Sequence, residues 1–127
     1  MGTPRSTTIL VVEDDPALRR AARRVLEGRL GYSLIVVERA EEALATVDRG
    51  DHVDLVLSDL HLPGMDGLAL FDQLAVRGFR GRFLLTSGSQ AEDITPGQRL
   101  PEGVAFLPRP WTIDELTTAV WHALGEA

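Results

Sequence analysis

The chain has 127 residues, with 13 basic and 19 acidic side chains and a formal net charge of −6. Every basic residue is arginine, and lysine, asparagine and cysteine are absent. That composition excludes disulfides, thiolate chemistry and a Schiff-base lysine, and its acidic balance argues against general nucleic-acid binding. The joint loss of lysine and asparagine, whose codons are AT-rich, suggests a GC-rich genome. Met1 to Ser6 is short and polar, without the apolar stretch of a signal peptide. The longest apolar runs are four or five residues, far below the ~20 that span a bilayer. A cytoplasmic protein of one domain, residues 1–127, is expected.

The first run, Thr8 to Val12, is rich in β-branched residues and reads as a strand covered on both faces. Asp15-Pro16 supplies a cap and a first-turn proline for a helix carrying Leu18, Ala21, Ala22, Val25 and Leu26, with Gly28 and Gly31 ending it. Ser33 to Val37 is a second strand, and Glu41 to Val47 a second helix closed by Gly50. Val53 to Ser58 is a third strand leading into Asp59. After the loop Pro63-Gly64-Met65-Asp66-Gly67 comes a helix bearing Leu68, Leu70, Phe71 and Leu74. Arg82 to Thr86 and Val104 to Leu107 complete the strands. Between them, Pro96-Gly97 and Pro101 interrupt any helix starting near Gln90, so a short or irregular fourth helix is expected. The final helix opens on a capping box, Thr112-Ile113-Asp114-Glu115.

Strands alternating with helices predict an α/β fold, a flavodoxin-like (βα)5 doubly wound parallel sheet of strand order 2-1-3-4-5. Ligands then bind beyond the carboxyl ends of the strands where the order reverses, between the first and third. Glu13, Asp14 and Asp15 leave the first strand and Asp59 the third, so acids distant in sequence converge. Their repulsion calls for a cation. Mg²⁺ suits such a set because it takes a few carboxylates, keeps waters and leaves room for a phosphate oxygen. A carboxylate beside it can attack phosphorus and form an acyl phosphate, with Thr86, Ser87 and Arg109 as donors at neighbouring strand ends. Any one of these acids alone reads as a helix cap or loop acid; their convergence does not.

The run Ile9-Leu10-Val11-Val12-Glu13-Asp14-Asp15-Pro16 resembles the opening of bacterial response-regulator receiver domains. The stretches Asp54-Leu55-Val56-Leu57-Ser58-Asp59-Leu60-His61-Leu62-Pro63-Gly64-Met65-Asp66-Gly67 and Phe106-Leu107-Pro108-Arg109-Pro110-Trp111 do so too. The resemblance, close to the single-domain chemotaxis regulators and to receivers of hybrid histidine kinases, implies a two-component phosphorelay. It makes Asp59 the phosphoacceptor, taking its phosphoryl group from a histidine kinase or histidine phosphotransfer protein. It makes Asp14, Asp59 and the backbone carbonyl of His61 ligands of Mg²⁺, with Glu13 acting through water. It assigns Ser87, rather than Thr86, as the hydroxyl that turns toward the phosphoryl group, and Phe106 as the aromatic switch. His61 and Ser89 fall at positions that adjust dephosphorylation. Such a domain catalyses only its own phosphorylation and slow hydrolysis, and is not a metabolic enzyme.

Two departures stand out. Arg109 occupies the position where receivers usually carry a lysine followed by a cis proline, and a planar fork does not replace a point charge conservatively. Codon drift explains it as it explains the other twelve arginines; altered phosphoryl chemistry is the functional alternative. The interrupted fourth helix changes a surface that commonly transmits the signal. A phosphorylation-independent, pseudo-receiver interaction module is therefore the competing expectation. A flavin-binding flavodoxin is disfavoured, because the loop after the first strand is acidic rather than hydroxyl- and glycine-rich.

Arg19, Arg20, Arg23 and Arg24 are expected on the outward face of the first helix, a solvated face or a docking surface for an acidic partner. Trp111 and Trp121 are read as packing residues around the last helix, and His52 and His122 have no evident partner. No residues remain for a DNA-binding output domain, so direct nucleic-acid binding and membrane insertion are not expected, and a downstream target would be a protein.

Overall fold

The structure is a computed structural model describing residues 7–87 and 100–125. Its strands are β1 (Thr8–Val12), β2 (Ser33–Val37), β3 (Leu55–Asp59), β4 (Arg82–Ser87) and β5 (Val104–Pro108). They form one parallel sheet in the order β2-β1-β3-β4-β5. The helices are α1 (Pro16–Ala22), α2 (Ala40–Asp48), α3 (Gly67–Val76) and α4 (Ile113–Ala123). The expected short fourth helix, with Pro96-Gly97 and Ser89, lies outside the described residues.

Side-chain alternation divides the core into two layers. Leu10, Val12, Val56, Phe83 and Leu85 face α2 and α3, where Ala43, Leu44, Leu70 and Leu74 cover them. Ile9, Val11, Leu55, Leu57 and Leu84 face the other way, under Ala22, Val25, Leu26, Leu116 and Val120. Both faces of β1, β3 and β4 are dry, which is why these strands read as continuous apolar runs.

Helix starts follow the sequence. Asp15 caps α1 by accepting from Ala17 N–H, with Pro16 in the first turn. Thr112 and Glu115 form the expected capping box of α4. The first helix ends between the two glycines expected to close it, but not as an α-helix. Helical winding runs through Gly28 as a π-helical segment, Arg23–Arg29, and turns only at Gly31, whose φ is 78°. Val25 and Leu26 in that segment are buried, so their packing carries the helix past a glycine that would otherwise weaken it.

Candidate functional site

The carboxyl ends of β1, β3, β4 and β5 bring together an acid cluster and one guanidinium. Asp59, the last residue of β3, and Glu13, just beyond β1, are each 5% exposed. Asp14 beside them is exposed. Carboxylate oxygens of Glu13, Asp14 and Asp59 lie within 4.8 Å of one another. Asp15, read with them in the sequence, caps α1 instead.

Backbone groups fix the two buried acids. Glu13 donates its N–H to Val37 O at 3.0 Å, and its Oε2 accepts Asp15 N–H at 3.0 Å. Asp59 Oδ1 accepts the N–H of His61 at 3.1 Å, so the His61 peptide lies against the cluster while its side chain is exposed. The chain then turns back, with Leu60 N–H on Thr86 O and Gly67 N–H on Leu60 O. Gly67 is obligatory at that turn: a Cβ there would stand 2.5 Å from the Asp59 carbonyl oxygen.

Arg109 enters from the end of β5. Its Nη1 is 3.0 Å from Glu13 Oε1 and 3.5 Å from Asp59 Oδ2. Its own N–H donates to Ser87 O at 2.8 Å, and the Arg109–Pro110 peptide is cis, as expected. One guanidinium does not neutralise this site. Burial pushes the Glu13 carboxyl up to about 7, helped by Asp59 and Asp14 and opposed by the Asp15 N–H and Arg109. Burial also raises Asp59, with Arg109 and the His61 N–H pulling the other way. Hard oxygen donors carrying uncompensated negative charge are the chemistry a divalent cation satisfies.

Residues 9–121 match the profile of the response regulator receiver domain. The chain belongs to that family. It is similar to the sensor kinase CckA of Brucella abortus (strain 2308), 36% identical over 122 residues, which are 94% of this chain and 13% of that protein. It is 31% identical over 117 residues to the DNA-binding transcriptional regulator NtrC of Salmonella typhimurium, covering 92% of this chain and 24% of the regulator. The chain thus spans less than a quarter of either relative. The signal receiver domain of an HD domain-containing protein from Pseudomonas fluorescens Pf-5 superposes with a TM-score of 0.81 at 29% identity, over 95% of this chain and 96% of that one.

Within this receiver domain of two-component systems, the expected residues meet the site unequally. Glu13, Asp14, Asp59, His61 and Arg109 are brought together. Ser87 ends β4, buried beside them and paired in register with Pro108. Phe106 sits on β5 half-buried against the α2–α3 layer. The arginine face is only partly as expected. Arg19 curls back toward the sheet, donating to Glu13 O at 3.0 Å and pairing with Glu38 at 3.6 Å, while Arg20, Arg23 and Arg24 stay exposed. The backbone carbonyl at the end of β1 draws it in. Arg23 pairs with Glu27 one turn along.

Trp111 packs on the α1–α4 layer, but Trp121 is 49% exposed and is not a packing residue. Its place on α4 follows Ile113 by eight positions, and both face solvent while Leu116 and Val120 fill the buried side. His52 has a partner that sequence reading missed, Asp54 at 2.9 Å, at the opposite edge of the sheet. An open cavity of about 550 Å³ lies at that edge, remote from the acid cluster. Thr86 also lies at the edge that carries the acid cluster. Its register pairing with Asp59 follows from the two strand placements, and it puts the threonine on the acid's own face of the sheet.

Proposed function

We propose that Asp59 accepts a phosphoryl group from a histidine kinase or phosphotransfer protein, switching a protein-interaction surface. The observation that carries this reading is a buried Asp59, oriented by the His61 N–H, with Glu13 and Asp14 oxygens and the Arg109 guanidinium around it. Asp14, Asp59 and the His61 carbonyl are the residues to hold Mg²⁺, with Glu13 acting through water. When bound, Mg²⁺ supplies charge neutralisation for the transferring group.

The reaction asks little covalent work of the protein. An Asp59 carboxylate oxygen forms a bond to phosphorus as the P–N bond of the donor phosphohistidine breaks. The departing imidazole keeps the electron pair and takes a proton from solvent. Ser87 and Arg109 hold phosphoryl oxygens, the arginine through a fork well matched to phosphate. Slow attack by water later returns the carboxylate, so the domain catalyses only its own phosphorylation and dephosphorylation.

Beside Arg109, an open groove of about 380 Å³ lies between Leu18 and Ala21 of α1 and Pro110-Trp111. It is suited to an apolar helix face of the phosphodonor, with exposed Arg20, Arg23 and Arg24 steering acidic side chains of that partner. No helix among the described residues is long and apolar enough to cross a membrane, and we place the domain in the cytoplasm. Direct contact with nucleic acid has no part in this reading.

The bridge from Arg109 to both Glu13 and Asp59 favours a second reading, a phosphorylation-independent module in which the guanidinium occupies the acid pair. Incubation with Mg²⁺ and acetyl phosphate separates the two. The receiver reading expects the mass gain of one phosphoryl group, lost on omission of Mg²⁺ and in Asp59→Asn. An unchanged mass under all conditions, with no response to fluoroberyllate, selects the pseudo-receiver.

A further inference from the structure

A small, partly open cavity of about 20 Å³ lies beside the acid cluster. Its polar lining is Glu13, Asp59, Thr86 and Arg109; Leu57 and Trp111 are among the apolar residues that line it. Thr86 is 5% exposed, and its Oγ1 is a buried side-chain atom with no hydrogen-bond partner among the described residues. A hydroxyl so placed costs free energy unless it is satisfied. The cavity has room for one water, and the Thr86 hydroxyl with the carboxylates and guanidinium along its wall offers the two to four polar partners that a buried water needs. Apolar walls alone would leave such a space dry.

Arg109 gives this hydroxyl a purpose. Among the described residues only Nη1 of the guanidinium meets an acceptor, reaching Glu13 and Asp59 together. The remaining donors of the fork leave its tilt to be set by something else. Thr86 pairs in register with Asp59 and so stands on the same face of the sheet as that acid. A water between Thr86 Oγ1 and the cluster can donate to a carboxylate and accept from the guanidinium at once, which neither neighbour does alone.

We propose that Thr86 is a positioning residue, holding one water in this cavity that fixes the Arg109 guanidinium against Asp59. The proposal rests on the phosphoacceptor reading for its consequence, but its geometry is testable without phosphorylation. An ammonium at position 109 is a compact point charge with no fork to orient. The influence of Thr86 should therefore depend on arginine at 109.

The test uses Thr86→Val, which keeps the shape and removes the hydroxyl, and Thr86→Ser, which keeps the hydroxyl. In the unphosphorylated protein, Thr86→Val should lower Tm by about 4 °C and shift the Arg109 Nε–Hε NMR resonance, while Thr86→Ser restores the resonance. An orphaned hydroxyl predicts the reverse, a higher Tm in Thr86→Val with the resonance unmoved, and that result overturns the proposal. In protein phosphorylated with acetyl phosphate, Thr86→Val should shorten the phosphorylated lifetime about fivefold, a barrier change of ~1 kcal/mol, and have no effect in an Arg109→Lys background. Equal effects in both backgrounds also overturn it. If wild-type protein takes up no phosphoryl group, the phosphoacceptor reading fails, and Tm and resonance still decide on the water.

Discussion

At Glu13, removal from water penalises the anion more than the Asp15 N–H and Arg109 stabilise it, and the carboxyl rises from 4.5 to about 7. The folded metal-free protein therefore binds this proton more tightly than the unfolded chain does. Stability from Glu13 is fully present below its ordinary value and is lost as pH rises through about 7. The loss amounts to about 3 kcal/mol for this residue alone. Urea unfolding in chelator should show an extrapolated stability that falls, by on the order of the loss just given, as pH rises from about 4.5 through about 7. Glu13→Gln, neutral throughout, should remove the Glu13 share of that slope and leave the part due to Asp59, which burial also raises; an equally steep profile in the variant would assign the whole slope elsewhere. The acid itself was legible in the sequence as the residue leaving the first strand. Its pairing with Arg109 was not, since it joins positions 96 apart and depends on how far one guanidinium reaches. Thr86 was legible as a hydroxyl at a strand end, but its burial without a partner was not, since that depends on how the neighbouring strands and Arg109 pack around it.

The elements were legible wherever burial or capping wrote a local pattern. β1 and β2 fall where their β-branched runs place them, and α1 and α4 start on the caps their sequences offer. Gly28 and Gly31 bracket the end of the first helix as their sequence suggests, but the π winding of Arg23–Arg29, with Val25 and Leu26 buried, has no local signal. Gly67 and Gly28 carry opposite expectations. At Gly67 an added Cβ would lie 2.5 Å from the Asp59 carbonyl oxygen and 2.7 Å from Leu85 Cδ1, so α3 must retreat from the end of β3. Gly67→Ala should cost about 2 kcal/mol despite alanine's better helix propensity, and slow phosphorylation because Asp59 moves with its carbonyl. At Gly28 the nearest atom to a Cβ is Arg23 O at 4.0 Å, an ordinary contact. Gly28→Ala should stabilise by about 0.5–1 kcal/mol through the entropy of the unfolded chain. Urea midpoints at constant m decide both, and a destabilised Gly28→Ala would show that the π-helical turn needs its glycine.

Over the whole molecule, the sheet order was legible because alternating βα units leave few alternatives once crossovers are right-handed. That order alone carries Asp14 and Asp59 to one edge, and so converts a diffuse charge of −6 into a local excess of carboxylates. What such an edge would hold is not written in the chain: a cation would bind the assembled fold, and its contribution to stability would appear only when it is present. Asp14 separates the two effects. It is exposed, unlike Glu13 and Asp59, so its carboxylate contributes little to the fold while standing among the metal-competent oxygens. Asp14→Asn should leave metal-free stability within about 0.5 kcal/mol of wild type. With Mg²⁺ at one hundred times its wild-type Kd, wild-type protein should gain about 2.7 kcal/mol by mass action, and Asp14→Asn only a small part of that. Thermal unfolding with and without Mg²⁺ gives both numbers from the same samples. Equal Mg²⁺ stabilisation of wild type and variant would mean that the cation binds without Asp14, leaving the buried pair and Arg109 to explain the acid cluster.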